Sequence, residues 1–187
     1  MSINKVFETF PGIETQTLQL RRIMPSDSDE LFKVLSDPEV VEFYDDDVFT
    51  EVPQASDQII SWENGFKNRR IIRWGITKKE EKILIGTCGF YGIHSWNKRA
   101  SIGYELARSQ WRHGIMTEAL GAIVAFGFDE MELNRIDAVL MPGNVASIMM
   151  LEKIGFLREG LLEEYEKWGN KGFVDLYMYA ILRKSCG

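Results

Sequence analysis

The sequence predicts one domain of mixed α/β (α+β) class, with a mostly antiparallel sheet of about seven strands and about four helices. Three observations carry this. Apolar residues recur at helical spacing in some stretches and alternate with polar ones in others. Strand segments in the middle of the chain lie too close together for crossover helices, so they pair as antiparallel hairpins. No repeat, low-complexity tract or Pro/Ser-rich linker divides the 187 residues, so residues 1–187 read as a single domain.

The elements follow in order. Thr17 to Ile23 alternates Leu18 and Leu20 with polar neighbours, a strand pattern. Ser26 with Asp29 reads as a helix N-cap ahead of Leu31, Phe32 and Leu35. Asp37-Pro38 starts a short helical turn. A helix from about Ser56 to Asn68 puts Ile59, Trp62 and Phe66 on one face. The period then changes. Strands are expected over Ile71–Lys78, Ile83–His94 and Ala100–Ala107, joined by turns at 79–82 and 96–99. Met116 to Met131 returns to helical spacing, Ile136–Met141 is a buried strand, and Val145–Ile154 a further helix. Leu161–Trp168 and Phe173–Leu182 flank Gly169-Asn170-Lys171-Gly172, a hairpin turn.

Composition narrows function. Two cysteines, Cys88 and Cys186, make neither a disulfide framework nor a thiolate metal cluster, and two histidines, His94 and His113, leave too few ligands for zinc. No metal is expected. The longest nearly apolar run, Ala119 to Phe128, is too short for a bilayer span, and the N-terminus lacks a signal-peptide pattern, so a cytoplasmic protein is expected. A net charge of −6 disfavours nucleic acid and suits a cationic partner.

The most informative segment runs from Ile102 to Ala119. A strand ends near Ala107, a polar loop follows, and an amphipathic helix starts near Ile115 or Met116. The free N–H groups of such a helix start form an anion site, Gly114 lets backbone approach a phosphate, and Arg112 adds a cation. An ordinary strand-to-helix connection with a turn glycine fits the same residues. Neither a P-loop nor a Gly-x-Gly-x-x-Gly fingerprint is present.

This segment resembles the pyrophosphate-binding motif of the GNAT N-acetyltransferase superfamily. Ile102-Gly103-Tyr104-Glu105-Leu106, followed by Trp111-Arg112-His113-Gly114-Ile115-Met116-Thr117-Glu118-Ala119, is similar to the Ile-Gly-Tyr-x-Leu…Trp-Gly-Lys-Gly-x-x-Thr-Glu-Ala of its Rim-type branch, which modifies ribosomal-protein N-termini. Asn144-Val145-Ala146-Ser147 and Leu151-Glu152-Lys153-Ile154-Gly155-Phe156 resemble a second family motif, and Glu159-Gly160 through Tyr179 its closing hairpin. The likeness covers residues from about 15 to 182. There are three departures, the first being Ser101, where a glutamate often precedes Ile-Gly-Tyr. Arg112-His113 stands where the branch has Gly-Lys, and Leu151 stands where many members carry a thiolate-protonating tyrosine.

The resemblance implies a sheet splayed in the middle and acetyl-CoA as cofactor. It implies coenzyme contacts from Leu106, Ala107, Arg112, His113, Gly114, Ile115, Met116, Thr117, Asn144, Ser147 and Lys153. Asn144 would hold the splayed gap. Ser147 would protonate the departing thiolate, and Glu166 would take the proton of the attacking amine, with Glu105 as second candidate for that base. Each of these three has a blander reading: a helix-start hydroxyl for Ser147 and strand charges for the two glutamates. The acceptor is a primary amine, foremost a ribosomal-protein N-terminus. A polyamine or aminoglycoside, or a non-catalytic acyl-CoA-binding regulator, is the alternative. A homodimer is expected by resemblance alone. Cys88 reads as core, His94 and His113 carry no side-chain role, and Asp45-Asp46-Asp47 borders the acceptor side. Tyr165 and Trp168 either line the same cleft or pack on the sheet.

Overall fold

The structure, a computed structural model, describes residues 3–45 and 47–185; Asp46 and Cys186 lie outside them. Eight strands form one sheet: β1 (Ile13–Glu14), β2 (Leu18–Arg22), β3 (Ile72–Lys78), β4 (Gly86–His94), β5 (Arg99–Leu106), β6 (Arg135–Leu140), β7 (Leu157–Trp168) and β8 (Gly172–Leu182). Their spatial order is β1-β2-β3-β4-β5-β6-β8-β7, and every neighbouring pair is antiparallel except β5 and β6. The strand beyond the expected seven is β1, whose two residues carry too little pattern to read. Four helices span two turns or more: α2 (Ser28–Leu35), α4 (Val52–Lys67), α5 (Ile115–Asp129) and α6 (Val145–Ile154). Single turns α1 (Ile3–Val6) and α3 (Pro38–Val41) complete the described residues. No described helix is long and apolar enough to cross a membrane.

Strand alternation sorts the two faces. Trp74 on β3 points to α5, its indole 5.4 Å edge-on from Phe126. The preceding Arg73 faces α4, its guanidinium 5.0 Å over the Trp62 ring. The larger core gathers Leu18, Leu20, Ile72, Trp74, Ile76 and Phe90 with Leu120 and Ile123 of α5 and Leu151 of α6. A smaller one packs Leu31 and Leu35 of α2 and Ile59 and Trp62 of α4 against Ile23 and Leu84. Cys88 is fully buried in the larger core, and burial pushes its thiol up to about 12.

Two helix starts differ from the sequence expectation. Pro25 begins a 3₁₀ turn through Asp27, so Ser26 does not cap α2. The Asp27 carboxylate instead accepts from the Met24 amide at 2.7 Å and from both terminal nitrogens of Arg21 at 2.8 Å. Helix α4 begins at Val52 because Pro53 suits a first turn, and Gln54 reaches back to accept from the Glu51 amide at 3.1 Å. The α6 start is as expected: Asn144 Oδ1 accepts from the Ser147 amide at 3.2 Å.

Glu118, on the first turn of α5, accepts from the Thr15 hydroxyl at 2.5 Å, the Thr17 amide at 2.8 Å and the Thr17 hydroxyl at 2.7 Å. Burial opposes its charge, but these donors outweigh burial and hold its carboxylate below the usual range. The clamp fixes the start of α5 to the β1–β2 turn. Glu118→Ala is therefore expected to lose about 1–2 kcal/mol of stability by denaturant melts at pH 7. Because the folded pKa is depressed, that difference is present above the unfolded glutamate value and fades as pH falls through the folded one.

Candidate active site

The β5–β6 pair is short. Only Arg99↔Arg135, Ala100↔Ile136 and Ser101↔Asp137 are in register, after which β5 stays with β4 as far as Leu106 and β6 stays with β8 as far as Leu140. The two strands therefore diverge beyond Ser101 and Asp137, leaving unpaired backbone edges facing a gap. The Ser101 hydroxyl donates to the Asp137 carboxylate at the vertex, so the last register pair is joined through its side chains as well. Asp137 also faces Arg135, which is held by two bonds of 2.7 and 2.6 Å to Glu159 of β7. Asn144, expected to hold the gap, lines the cleft and uses its side-chain oxygen to cap α6.

The gap opens into a cleft of about 700 Å³. One end is the β5–α5 loop. A 3₁₀ turn at Arg108–Gln110 is followed by Trp111, whose indole N–H donates back to the Leu106 carbonyl at 2.8 Å and closes the loop. Arg112 (φ 64°) and Gly114 (φ 76°) both adopt left-handed backbone, and Gly114 leads directly into α5. A Cβ built on Gly114 would meet nothing within 4 Å. That open cradle, the unpaired N–H groups of the first α5 turn and the exposed Arg112 side chain fit a diphosphate.

The cleft is lined by Leu106, Arg112, Gly114, Ile115, Met116, Thr117, Asn144, Ser147, Glu105 and Glu166, which the sequence singled out. Ala107 and His113 lie in the same loop outside that lining. Lys153 is exposed on the last turn of α6, also outside it. Leu151, one turn after Ser147, is fully buried and offers no proton.

The opposite end is polar and acidic. Glu166 reaches the cleft because β7 bulges between Leu162 and Glu166, with Glu164 at φ 44° and its amide donating to Asp175 at 2.8 Å. The Glu166 carboxylate accepts from the Trp168 indole at 3.0 Å. Trp168 is buried and lines the cleft, whereas Tyr165 is exposed outside it. Glu105 is buried, with one oxygen accepting from Arg73 and the other from the Thr87 hydroxyl. Burial pushes its carboxyl up, against Arg73 and Thr87. Asp45 lines the cleft, while Asp47 is occupied elsewhere, accepting from the Asn170 amide at 3.3 Å. His94 ends β4, and its Nδ1 accepts from the Asn97 amide.

Motif reading missed Tyr44, Trp62, Arg73 and Tyr91, which also line the cleft. Burial, then the carboxylates of Asp137, Asp45 and Glu166, push the Tyr91 phenol above its ordinary value. Arg73 did leave a signal: a cation inside the apolar run Ile71 to Ile76 has to find a buried partner.

The model of the acetyltransferase (GNAT) domain matches residues 17–157. The chain belongs to the GNAT acetyltransferase family. An uncharacterized N-acetyltransferase, p20 of Bacillus licheniformis, is 39% identical over 170 residues, 91% of this chain and 95% of that one. The crystal structure of a GNAT-family acetyltransferase from Bacillus anthracis superposes with a TM-score of 0.82 at 25% identity, covering 93% of this chain and 99% of the other. RimL, described as a ribosomal L7/L12 alpha-N-protein acetyltransferase in complex with coenzyme A, gives 0.81 at 23%, over 92% and 98%. The chain is thus an N-acetyltransferase of the GNAT fold, and structures similar to it hold coenzyme A.

Arg112 explains why the Rim-type motif carries glycine there: the position takes left-handed backbone, which disfavours an L side chain by about 1–2 kcal/mol. Arg112→Gly is expected to leave stability unchanged or raise it by up to about 1 kcal/mol, since glycine also gains entropy when unfolded. A clear loss in thermal melts rejects the strained-loop reading.

Proposed function

We propose that this acetyltransferase moves the acetyl group of acetyl-CoA, in the cytoplasm, to a primary amine, with a protein N-terminal α-amine as the acceptor class. The observation that carries the reading is the fork itself. It leaves one continuous cleft with an anion cradle at one end and a solvent-reaching carboxylate, Glu166, at the other.

Residues 112–117 would hold the diphosphate. The open edges of β5 and β6 would pair with the amides of the pantetheine arm as an added strand does, and a backbone N–H near Leu106 would polarise the carbonyl. Acetyl-CoA supplies an acyl group already activated as a thioester. The chain's own task is to position the amine, accept its proton and stabilise the departing sulfur. Freeing the amine at pH 7 costs about 1 kcal/mol for an α-amine and about 4.6 for a lysine. An exposed carboxylate such as Glu166 suits the smaller demand. Glu105 is a poorer base, since both its oxygens already accept hydrogen bonds. The acidic lining from Glu39, Glu42 and Asp45 favours a second reading, a small polyamine. With both Ser147 and Glu166 on the cleft, a non-catalytic regulator is disfavoured.

Two measurements test this. Gly114→Val crowds the cradle and forces a branched side chain into left-handed backbone, so coenzyme A affinity by calorimetry should fall at least about tenfold; unchanged affinity rejects the placement. An acceptor screen with N-terminal peptides, polyamines and aminoglycosides, read by free thiol release, then identifies the amine. With that amine, Glu166→Gln should lower kcat/KM by roughly 10²–10⁴. The deficit should shrink as pH approaches the amine's own pKa, while coenzyme A affinity stays constant. Parental rates throughout reject Glu166 as base.

A further inference from the structure

Tyr104 belongs to the Ile-Gly-Tyr segment of β5, and no step above uses it. It sits beyond the fork vertex, on the stretch that has lost its β6 partner, and it lines the cleft together with Ser147 and Met150 of α6. Its hydroxyl is the one buried side-chain polar atom among the described residues without a hydrogen-bond partner. A buried donor left unmade is expensive, and such a group calls for an explanation in the site it faces. Burial pushes the phenol up to about 12, and the neighbouring Ser147 hydroxyl is the group that opposes the rise. Tyr104 therefore keeps its proton at neutral pH and remains a donor. Ser147 stands at the start of α6, where its own amide is already committed to Asn144 and its hydroxyl is left for the cleft.

We propose that Tyr104 is a positioning residue that donates its O–H to the Ser147 oxygen, which turns the serine hydrogen toward the sulfur leaving from acetyl-CoA. This rests on the acetyl-CoA reading above. In the transfer the amine nitrogen forms the C–N bond, the C–S bond breaks with its electron pair going to sulfur, and the amine proton passes to Glu166. Ser147 gives a hydrogen bond to the thiolate, and neither hydroxyl ionises. Two hydroxyls in series polarise each other, so the second donor strengthens the first. Leu151 leaves no tyrosine on α6, and a tyrosine on the facing strand lies within reach of the same place.

The test needs no acceptor. Coenzyme A itself is titrated with pH on the protein, and the thiolate is followed by its ultraviolet absorbance. The parent should bind a larger thiolate fraction at neutral pH than free coenzyme A shows. Ser147→Ala should lower that fraction about threefold to tenfold, and Tyr104→Phe about threefold. The double variant should be no worse than Ser147→Ala, because Tyr104 acts through the serine. Without coenzyme A, Tyr104→Phe should also melt at the parental temperature or about 2–4 °C higher, since in the free protein it removes a buried donor that is not yet engaged. A purely structural role for the hydroxyl would instead lower the melting temperature. If Ser147→Ala reduces the thiolate fraction and Tyr104→Phe does not, or if the two losses add, the inference is overturned and the acetyl-CoA reading survives. If coenzyme A does not bind at all, both fall.

Discussion

Everything functional in this molecule depends on how short the pairing of β5 with β6 is. Three residue pairs are in register and then the strands part. Each strand stays hydrogen-bonded on its other side, β5 to β4 and β6 to β8, so the divergence is borne by a rigid sheet and not by a loose edge. Unpaired backbone in a buried setting is unfavourable unless something pairs with it. An extended ligand lying in the fork would do so, which links this interruption of the sheet to binding. The vertex is where the divergence must be fixed, and the Ser101–Asp137 bond lies at that point, tied through Arg135 to Glu159 on β7.

The two faces of the sheet divide the chemistry. On the α5 side β3 and β4 present Trp74, Ile76, Cys88 and Phe90, and helix α5 is locked against them with its N-terminus aimed at the cleft. On the α4 side the same strands present Arg73 and Thr87, with Glu105 from β5, as a buried polar network. Such a network is costly to desolvate and is retained only when its members satisfy one another. Its effect here is geometric: it ties β3, β4 and β5 together beside the cleft and engages both Glu105 oxygens, while Glu166 is exposed.

How much of this the sequence disclosed follows from how local each signal is. Helices α5 and α6 and the closing hairpin were legible because amphipathic spacing and a Gly-flanked turn act within a few residues of themselves, whereas the Asn144 cap on α6 emerges from the structure. The β5–α5 loop was legible for the same reason, and its family resemblance agrees with the match over residues 17–157. Pro25 and Pro53 move the starts of α2 and α4 away from where capping pattern and apolar spacing put them, and two-residue β1 carries no pattern of its own. Arg73, Tyr91 and Tyr44 escaped because their partners are distant in sequence. A contact such as Arg73 with Glu105 has no periodicity to betray it.

Part of the backbone strain, and the unmet buried hydroxyl, lie beside the cleft. Arg112 and Gly114 hold left-handed backbone in the anion loop, Glu164 does so at the bulge that aims Glu166, and Tyr104 carries the buried hydroxyl without a partner. Left-handed backbone also occurs at Arg69, Lys98 and Glu132, outside the cleft lining, while Trp111 closes its loop on Leu106, Glu118 clamps the helix start and Asn144 caps α6. A sheet that satisfied every backbone group would have paired β5 with β6 along their whole lengths and left no room between them. Arg112 and Tyr104 line that opening, and Glu164 lies two residues before Glu166, which lines it too, so these three departures are tied to the cleft even though left-handed backbone is not confined to it.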